Sequence, residues 1–227
     1  MSSLQFQRIL DLGSYRTALF MTHRIRHAMK EGQHAEKMKG TVEVDECYFG
    51  PNTHKQGFHK NEKTAVVALV ERETGMRRSV VIDMLTAKDL QQAVRNNVEA
   101  GSTINTDEHR FYKGLGEEYR HKTVKHAPTY TKKAEYWRKE GDEVVTTNYV
   151  ESSFSLLRRA VTGTFHNISR KHLHLYVAEF DARFNRRKVS DGERTVDTLT
   201  MARGKRIRIA KEVELATPEE HARLALK

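Results

Sequence analysis

The chain has 227 residues, 40 Lys and Arg against 30 Asp and Glu, and a formal net charge of +10. Hydrophobic residues at 37% and charged residues at 31% fall in the globular range, which excludes a collagen-like or low-complexity chain and leaves room for one sizeable domain with a small appendage. No stretch approaches the roughly 18 apolar residues of a membrane span, the first residues lack a secretory pattern, and Cys47 alone supports no disulfide framework. The expectation is a soluble, cytoplasmic, nucleoid-associated protein with no membrane partner, whose positive charge suits nucleic acid.

Residues 1–33 read as helical. Leu4, Ile9 and Leu10 lead into a break at Asp11-Leu12-Gly13-Ser14. Ser14 then caps a run from Tyr15 to Lys30, with Ala18, Met21, Ile25 and Met29 at helical spacing. Two helices, a Gly-containing turn and a basic second helix carrying Arg16, Arg24, Arg26 and Lys30 give the outline of a helix-turn-helix, an outline that plain helical hairpins share. Residues 34–40 read as a linker. Thr41–Phe49 alternates and is β-rich, ended by Gly50-Pro51. Strands are predicted at Thr64–Val70 and Ser79–Leu85, completing a meander. Thr86 caps a helix over Ala87–Val98, with Leu90, Ala93, Val94 and Val98 on one face.

A fourth strand is predicted at Ser102–Asp107, a helical turn through Phe111, Tyr112 and Leu115, and a fifth strand at His121–His126. After a loop around Trp137 and Gly141, one helix starts near Asn148 and another runs from about Ser169 to Arg187. Residues 41–189 thus form one domain, and 190–227 a polar, weakly periodic tail. Three strands, a helix, a strand, a helix, a strand and a helix make an α/β chain. The order is that of a ribonuclease H-like mixed five-stranded sheet flanked by helices, preceded by a small helical segment.

Three acids fall at telling points of this scaffold. Asp45 lies in the first strand, Asp107 ends the fourth, and Glu151 occupies the first turn of the helix after the fifth. In a ribonuclease H-like sheet the first and fourth strands are neighbours and that helix packs beside them. Converging carboxylates repel, and a hard divalent cation relieves the repulsion. Two such ions about 4 Å apart activate a hydroxyl and stabilise the leaving oxygen of a phosphodiester. Each acid also has a plainer reading: Asp45 as a strand residue bonded locally, Asp107 as a helix cap, and Glu151 as half of a capping box with Asn148. On the helix, Val150, Phe154, Leu157 and Val161 form an apolar stripe, and Asn148, Glu151, Ser155 and Arg158 share a flank of it. That flank lines a site or a solvated face. His166, His172 and His174 lack the paired spacing and Cys partners of a zinc site.

The block Gly40-Thr-Val-Glu-Val-Asp45-Glu-Cys-Tyr-Phe-Gly50 resembles the first-aspartate block of DDE transposases of bacterial insertion sequences, in the ISXO2-like branch related to the eukaryotic Merlin elements. Thr106-Asp107 with Phe111-Tyr112 resembles the second block, and Thr147–Arg159 the third. Gly163–Ser169, Lys171-His172-Leu173 and Tyr176–Arg187 extend the likeness, which covers most of residues 15–205. The resemblance implies an insertion-sequence transposase: an enzyme that cuts double-stranded DNA at element ends and joins a 3′-hydroxyl to target DNA, using Mg2+ or Mn2+. Carried over by position, Asp45, Asp107 and Glu151 are the metal-binding catalytic residues. Asn148 is the alternative third ligand, and Glu151 is preferred because it carries charge. Arg158 stands where a Lys often does, and is assigned to clamping phosphate. Relatives begin with a zinc ribbon of four cysteines, and with Cys47 alone this chain holds no such ribbon. The copy is then truncated, or the ribbon is dispensable, or the helical segment recognises the ends.

DNA contacts are expected from Arg16, Arg24, Arg26 and Lys30, from Lys60 with its loop neighbours Lys55 and Lys63, and from Arg159, Lys171 and Arg187 on the closing helices. Strand transfer at two ends implies a homo-oligomer on DNA. Two further readings stand beside the transposase: a nuclease of the same fold that only hydrolyses, and a non-catalytic DNA-binding protein.

Overall fold

Alternation in one strand organises the molecule. In β1 (Thr41–Phe49), Val42 and Val44 point to one face of the sheet, and Glu43, Asp45 and Cys47 to the other. The computed structural model describes residues 1–31, 36–50, 63–124, 137–141 and 143–203. Within them β1 is central in a five-stranded sheet of order β3-β2-β1-β4-β5. β2 (Thr64–Glu71) and β3 (Arg77–Ile82) continue from β1 as an antiparallel meander, whereas β4 (Thr103–Asp107) and β5 (Arg120–Val124) run parallel to β1 and to each other. This is the ribonuclease H-like arrangement expected from the element order.

Each face has its own core. On one, α3 (Ala87–Asn97), capped by Thr86, buries Leu90 and Val94 against Val42, Val44, Leu69 and Ile104. On the other, Val150, Phe154 and Leu157 of α4 (Asn148–Ala160) and Val177 of α5 (Leu173–Asn185) cover Cys47, Val66, Ala68 and Val70. β2 contributes to both faces and is buried along its length, hence its nearly continuous apolar run. The apolar stripe of α4 is as expected, and each large side chain in it contributes roughly 1.5–3 kcal/mol. A one-residue slip of β1 would put Glu43 and Asp45 in the α3 core, so the valines fix where Asp45 points.

Several elements differ from expectation. The last long helix is a 3-10 turn at Arg170–His172 followed by α5, and it ends at Asn185. The loop around Trp137 is a hairpin of β6 (Trp137–Glu140) and β7 (Glu143–Thr146), turning at Gly141 with φ +62°. The supposed tail contains α6 (Asp191–Ala202), held by a capping box in which Ser190 and Glu193 bond reciprocally. Of the linker, Met38 is buried in the core on the α3 face and bridges to Val98. Residues 34–35, 125–126 and 204–227 lie outside the described residues.

At the amino terminus α1 (Ser3–Ile9) and α2 (Tyr15–Glu31) pack together, and α2 lies against α5 and α6. Of the expected stripe Ala18 is buried, Met21 and Met29 are half-buried and Ile25 is exposed; the buried line runs through Ala18, Thr22 and Arg26. Arg26 is 2% exposed: its Nε donates to Glu179 at 2.7 Å, and its guanidinium lies 4.0 Å from the Tyr176 ring centroid.

Candidate active site

β1 delivers Asp45 and Glu46, β4 delivers Asp107 at its end, and α4 delivers Glu151 from its first turn. The strand pair fixes two of these elements: Glu43 lies opposite Asn105 in the parallel register, one pleat before Asp45 and Asp107. The Asp45 carboxyl is pushed up to about 7, first by burial, then by the charge of Glu46, with Asp107 and Glu151 adding to it, while the Glu46 N–H at 2.8 Å opposes the rise. Three elements thus bring negative charge to one half-buried carboxyl.

The neighbouring acids are held by local partners. Asp107 Oδ1 accepts the His109 N–H at 2.9 Å, and Glu151 Oε1 accepts the Thr147 hydroxyl at 2.6 Å. Glu46 Oε2 accepts the Tyr112 hydroxyl at 2.6 Å, and its Oε1 lies 3.8 Å from His109 Nδ1. Burial also raises Glu46, and burial and Glu46 together hold the Tyr112 phenol well above its usual range, so it remains a donor.

Glu43 is the residue that sequence reasoning overlooked. Its side chain is fully buried, and Oε2 accepts the N–H groups of Tyr149 at 2.8 Å and Val150 at 3.1 Å. A carboxylate from β1 therefore caps the amino terminus of α4, where unpaired N–H groups and the helix dipole favour negative charge. Arg72 Nε lies 3.5 Å from its other oxygen, yet burial still lifts the carboxyl to about 7. The capping box proposed for Asn148 and Glu151 is not formed. Thr147 precedes the helix, and Asn148 is its exposed first residue, donating to Thr146 Oγ1 at 3.1 Å. The signal for Glu43 was its shared face with Asp45, two residues on.

Arg158 lies two turns beyond Glu151, and its Nε and a terminal nitrogen donate to Cys47 Sγ at 3.1 and 2.9 Å. That contact aims the exposed guanidinium along the end of β1, over a polar groove of about 520 Å³ that runs from Glu46 to Gly50 and across to Val161 and His166. Among the basic residues named from sequence, Arg16, Arg24, Lys30, Arg159 and Lys171 are exposed. Arg187 donates to the Gly75 carbonyl at 3.3 Å and stacks on Phe184, so it braces the β2–β3 turn. Arg26 is withdrawn from the DNA-facing set: Glu179 and the Tyr176 ring occupy its guanidinium. Lys60 and Lys55 lie outside the described residues.

Carboxylate oxygens are the donors that a hard divalent cation takes, and the mutual repulsion at Asp45 is what such a cation would relieve. Among the described residues no group of three His, Cys, Asp or Glu side chains is drawn together tightly enough to hold a metal ion. The acids share a field but, in this conformation, not a closed cradle.

A mixed sheet with β1 at its centre, an acid in the middle of β1, another at the end of β4, and a further acid on the helix beside them make a ribonuclease H-like fold. The family model of the ISXO2-like transposase domain matches residues 37–185, and the chain belongs to that family. No curated protein sequence matches it. Among solved structures, the magnesium-bound trimeric form of the HTLV-2 integrase catalytic core domain is similar at 12% identity and a TM-score of 0.40, over 71% of this chain and 94% of that one. An intasome of simian T-cell lymphotropic virus with a PP2A regulatory subunit is similar at 15% identity and a TM-score of 0.38, over 78% of this chain and 67% of that one. No helix among the described residues is long and apolar enough to cross a membrane.

Proposed function

We propose that this chain is the transposase of an insertion sequence: it cuts DNA at the element ends and joins the freed 3′-hydroxyl to target DNA, in the cytoplasm, as an oligomer on DNA. Family membership sets the activity class, transposase-type DNA cleavage and strand transfer. The observation that carries the site assignment is the Asp45 carboxyl, raised to about 7 in a field made by Glu46, Asp107 and Glu151. Asp45, Asp107 and Glu151 would hold Mg2+ or Mn2+, which supplies electrostatic activation of the attacking oxygen and stabilises the leaving one. Glu43 fixes the start of α4 and hence the height of Glu151 above β1. Arg158, anchored on Cys47, offers a cation to the phosphodiester. Asn148 is left outside the ligand set, since it is uncharged and exposed.

The test is nicking and joining of a labelled element end by purified protein with Mn2+. Wild type should do both, and Asp45→Asn neither. Nicking without joining indicates a hydrolytic nuclease. A second reading, a DNA-binding protein without catalysis, has one observation for it, the lack of a closed carboxylate cluster among the described residues. It predicts salt-sensitive DNA binding by wild type and Asp45→Asn alike, and no cleavage by either.

A further inference from the structure

The end of α4 departs from ordinary helix geometry where it meets the groove. Val161–Phe165 form a π-helical turn, closed by the His166 N–H on the Val161 carbonyl at 2.7 Å. Single π turns are rare and concentrate at functional sites. The next residue is more strained. His166 has φ +58° and ψ −43°, and the Asn167 N–H bonds across it to the Phe165 carbonyl at 2.6 Å. This is the classic γ-turn, a rare conformation that costs a side-chain-bearing residue of order 1–3 kcal/mol. Glycine would relieve that cost, and histidine stands there instead.

The surroundings show what the strain achieves. Phe165 faces inward, its ring 4.7 Å from Tyr176 and 5.5 Å from the Arg26 guanidinium, so the turn is packed against α2 and α5 from behind. His166 and Asn167 are exposed and line the polar groove. The same groove is lined by Tyr48 of β1, by Gly50 just after it, and by the cations Lys63 and Arg158. Glu46, the residue after Asp45, lines it too. A channel with cations and polar donors along its walls, leading away from a carboxylate cluster, has the chemistry of a path for a polyanionic strand.

We propose that this groove carries the phosphodiester backbone of one DNA strand away from the carboxylates, and that the γ-turn on His166 exists to present its imidazole to a phosphate there, in the groove that Lys63 also lines. This rests on the transposase reading and adds to it the strand's route and two contacts. An imidazole keeps at least one N–H donor in either tautomer.

The test separates the two claims by using binding without chemistry. Full-length protein is titrated with a fluorescein-labelled duplex oligonucleotide in EDTA across a salt series, and cleavage is scored separately with Mn2+. His166→Gly removes the imidazole and relaxes the backbone. His166→Asn keeps a polar side chain of a type that tolerates positive φ. Lys63→Ala removes a cation. The expected results are binding weakened roughly five- to tenfold by His166→Gly, largely retained by His166→Asn, and a salt slope reduced by about 1 in Lys63→Ala. Binding by His166→Gly equal to or tighter than wild type assigns the γ-turn to folding alone and overturns the proposal. So does an unchanged slope in Lys63→Ala. If wild type fails to cleave while these variants bind as expected, the transposase reading fails and the groove stands; cleavage with unaffected binding gives the reverse.

Discussion

Two charged clusters share one face of the sheet and are built on opposite terms. At the β3 edge, Arg77 is fully buried, forms an ion pair with Asp181, and donates through Nε to Ser153 Oγ at 3.0 Å. Ser79 Oγ lies 3.0 Å from the same Asp181 oxygen, and Asn185 brackets the Arg77 backbone from both sides. Charge is balanced there, and the cluster ties β3 to α4 and α5. Between β1 and β4, Asp45 lies in the shared field of Asp107, Glu151 and, from the far side of the strand, Glu46, with no cation paired to Asp45 among the described contacts. A fold keeps a balanced pair for the geometry it locks. It keeps an unbalanced one at a cost to stability, and the return lies in chemistry.

The sharpest way to break this contrast is Asp45→Asn. Cleavage should fall by roughly three orders of magnitude or more, while the melting temperature stays level or rises, since one of several like charges is gone. A large loss of stability would place Asp45 with the structural cluster. Asp181→Ala is the mirror experiment. It strands the Arg77 guanidinium in the core and should cost about 3–5 kcal/mol of unfolding free energy in urea titrations; a change below about 1 kcal/mol would erase the distinction.

A smaller effect comes from the α2–α5 contact. His23 is buried, and burial, then His172, Arg26 and His174 depress it from 6.5 to about 4; the Tyr176 ring also faces it, 6.0 Å away. The unfolded chain binds this proton more readily than the folded one, so stability is full above pH 6.5 and declines as pH falls towards 4. The decline should reach roughly 3 kcal/mol at its limit. His23→Gln should flatten it, measured as the difference between the two proteins' pH profiles. Smallest is Tyr112→Phe, which takes one hydroxyl donor from Glu46. A loss of about 1–2 kcal/mol is expected, detectable as a modest fall in melting temperature without a change in fold.

What the sequence made legible was whatever repeats locally. The alternation of β1 and the stripe of α4 are visible within a dozen residues, and with the succession of strands and helices along the chain they give the sheet and the elements bearing Asp45, Asp107 and Glu151. The Glu43 cap and the Arg77–Asp181 pair were invisible because their partners stand about a hundred residues apart. Arg26 misled for the opposite reason: a basic residue at an apparently outward helical position looks like surface until an acid on α5 receives it. The capping box of α6 was readable as Ser190 and Glu193, but the polar composition around it masked the signal. β6 is exposed at every residue, so it leaves no alternation to find.

The family match starts at residue 37, and Arg26 lies before it. Yet this one guanidinium roofs Tyr176 and Phe165 and neutralises Glu179. A fragment cut at the family boundary would bare an aromatic floor and leave Glu179 with the more exposed Arg183 as its remaining cation. Anyone dissecting the protein for crystallisation should therefore treat the amino-terminal hairpin as glued to the body that carries the sheet, and keep it.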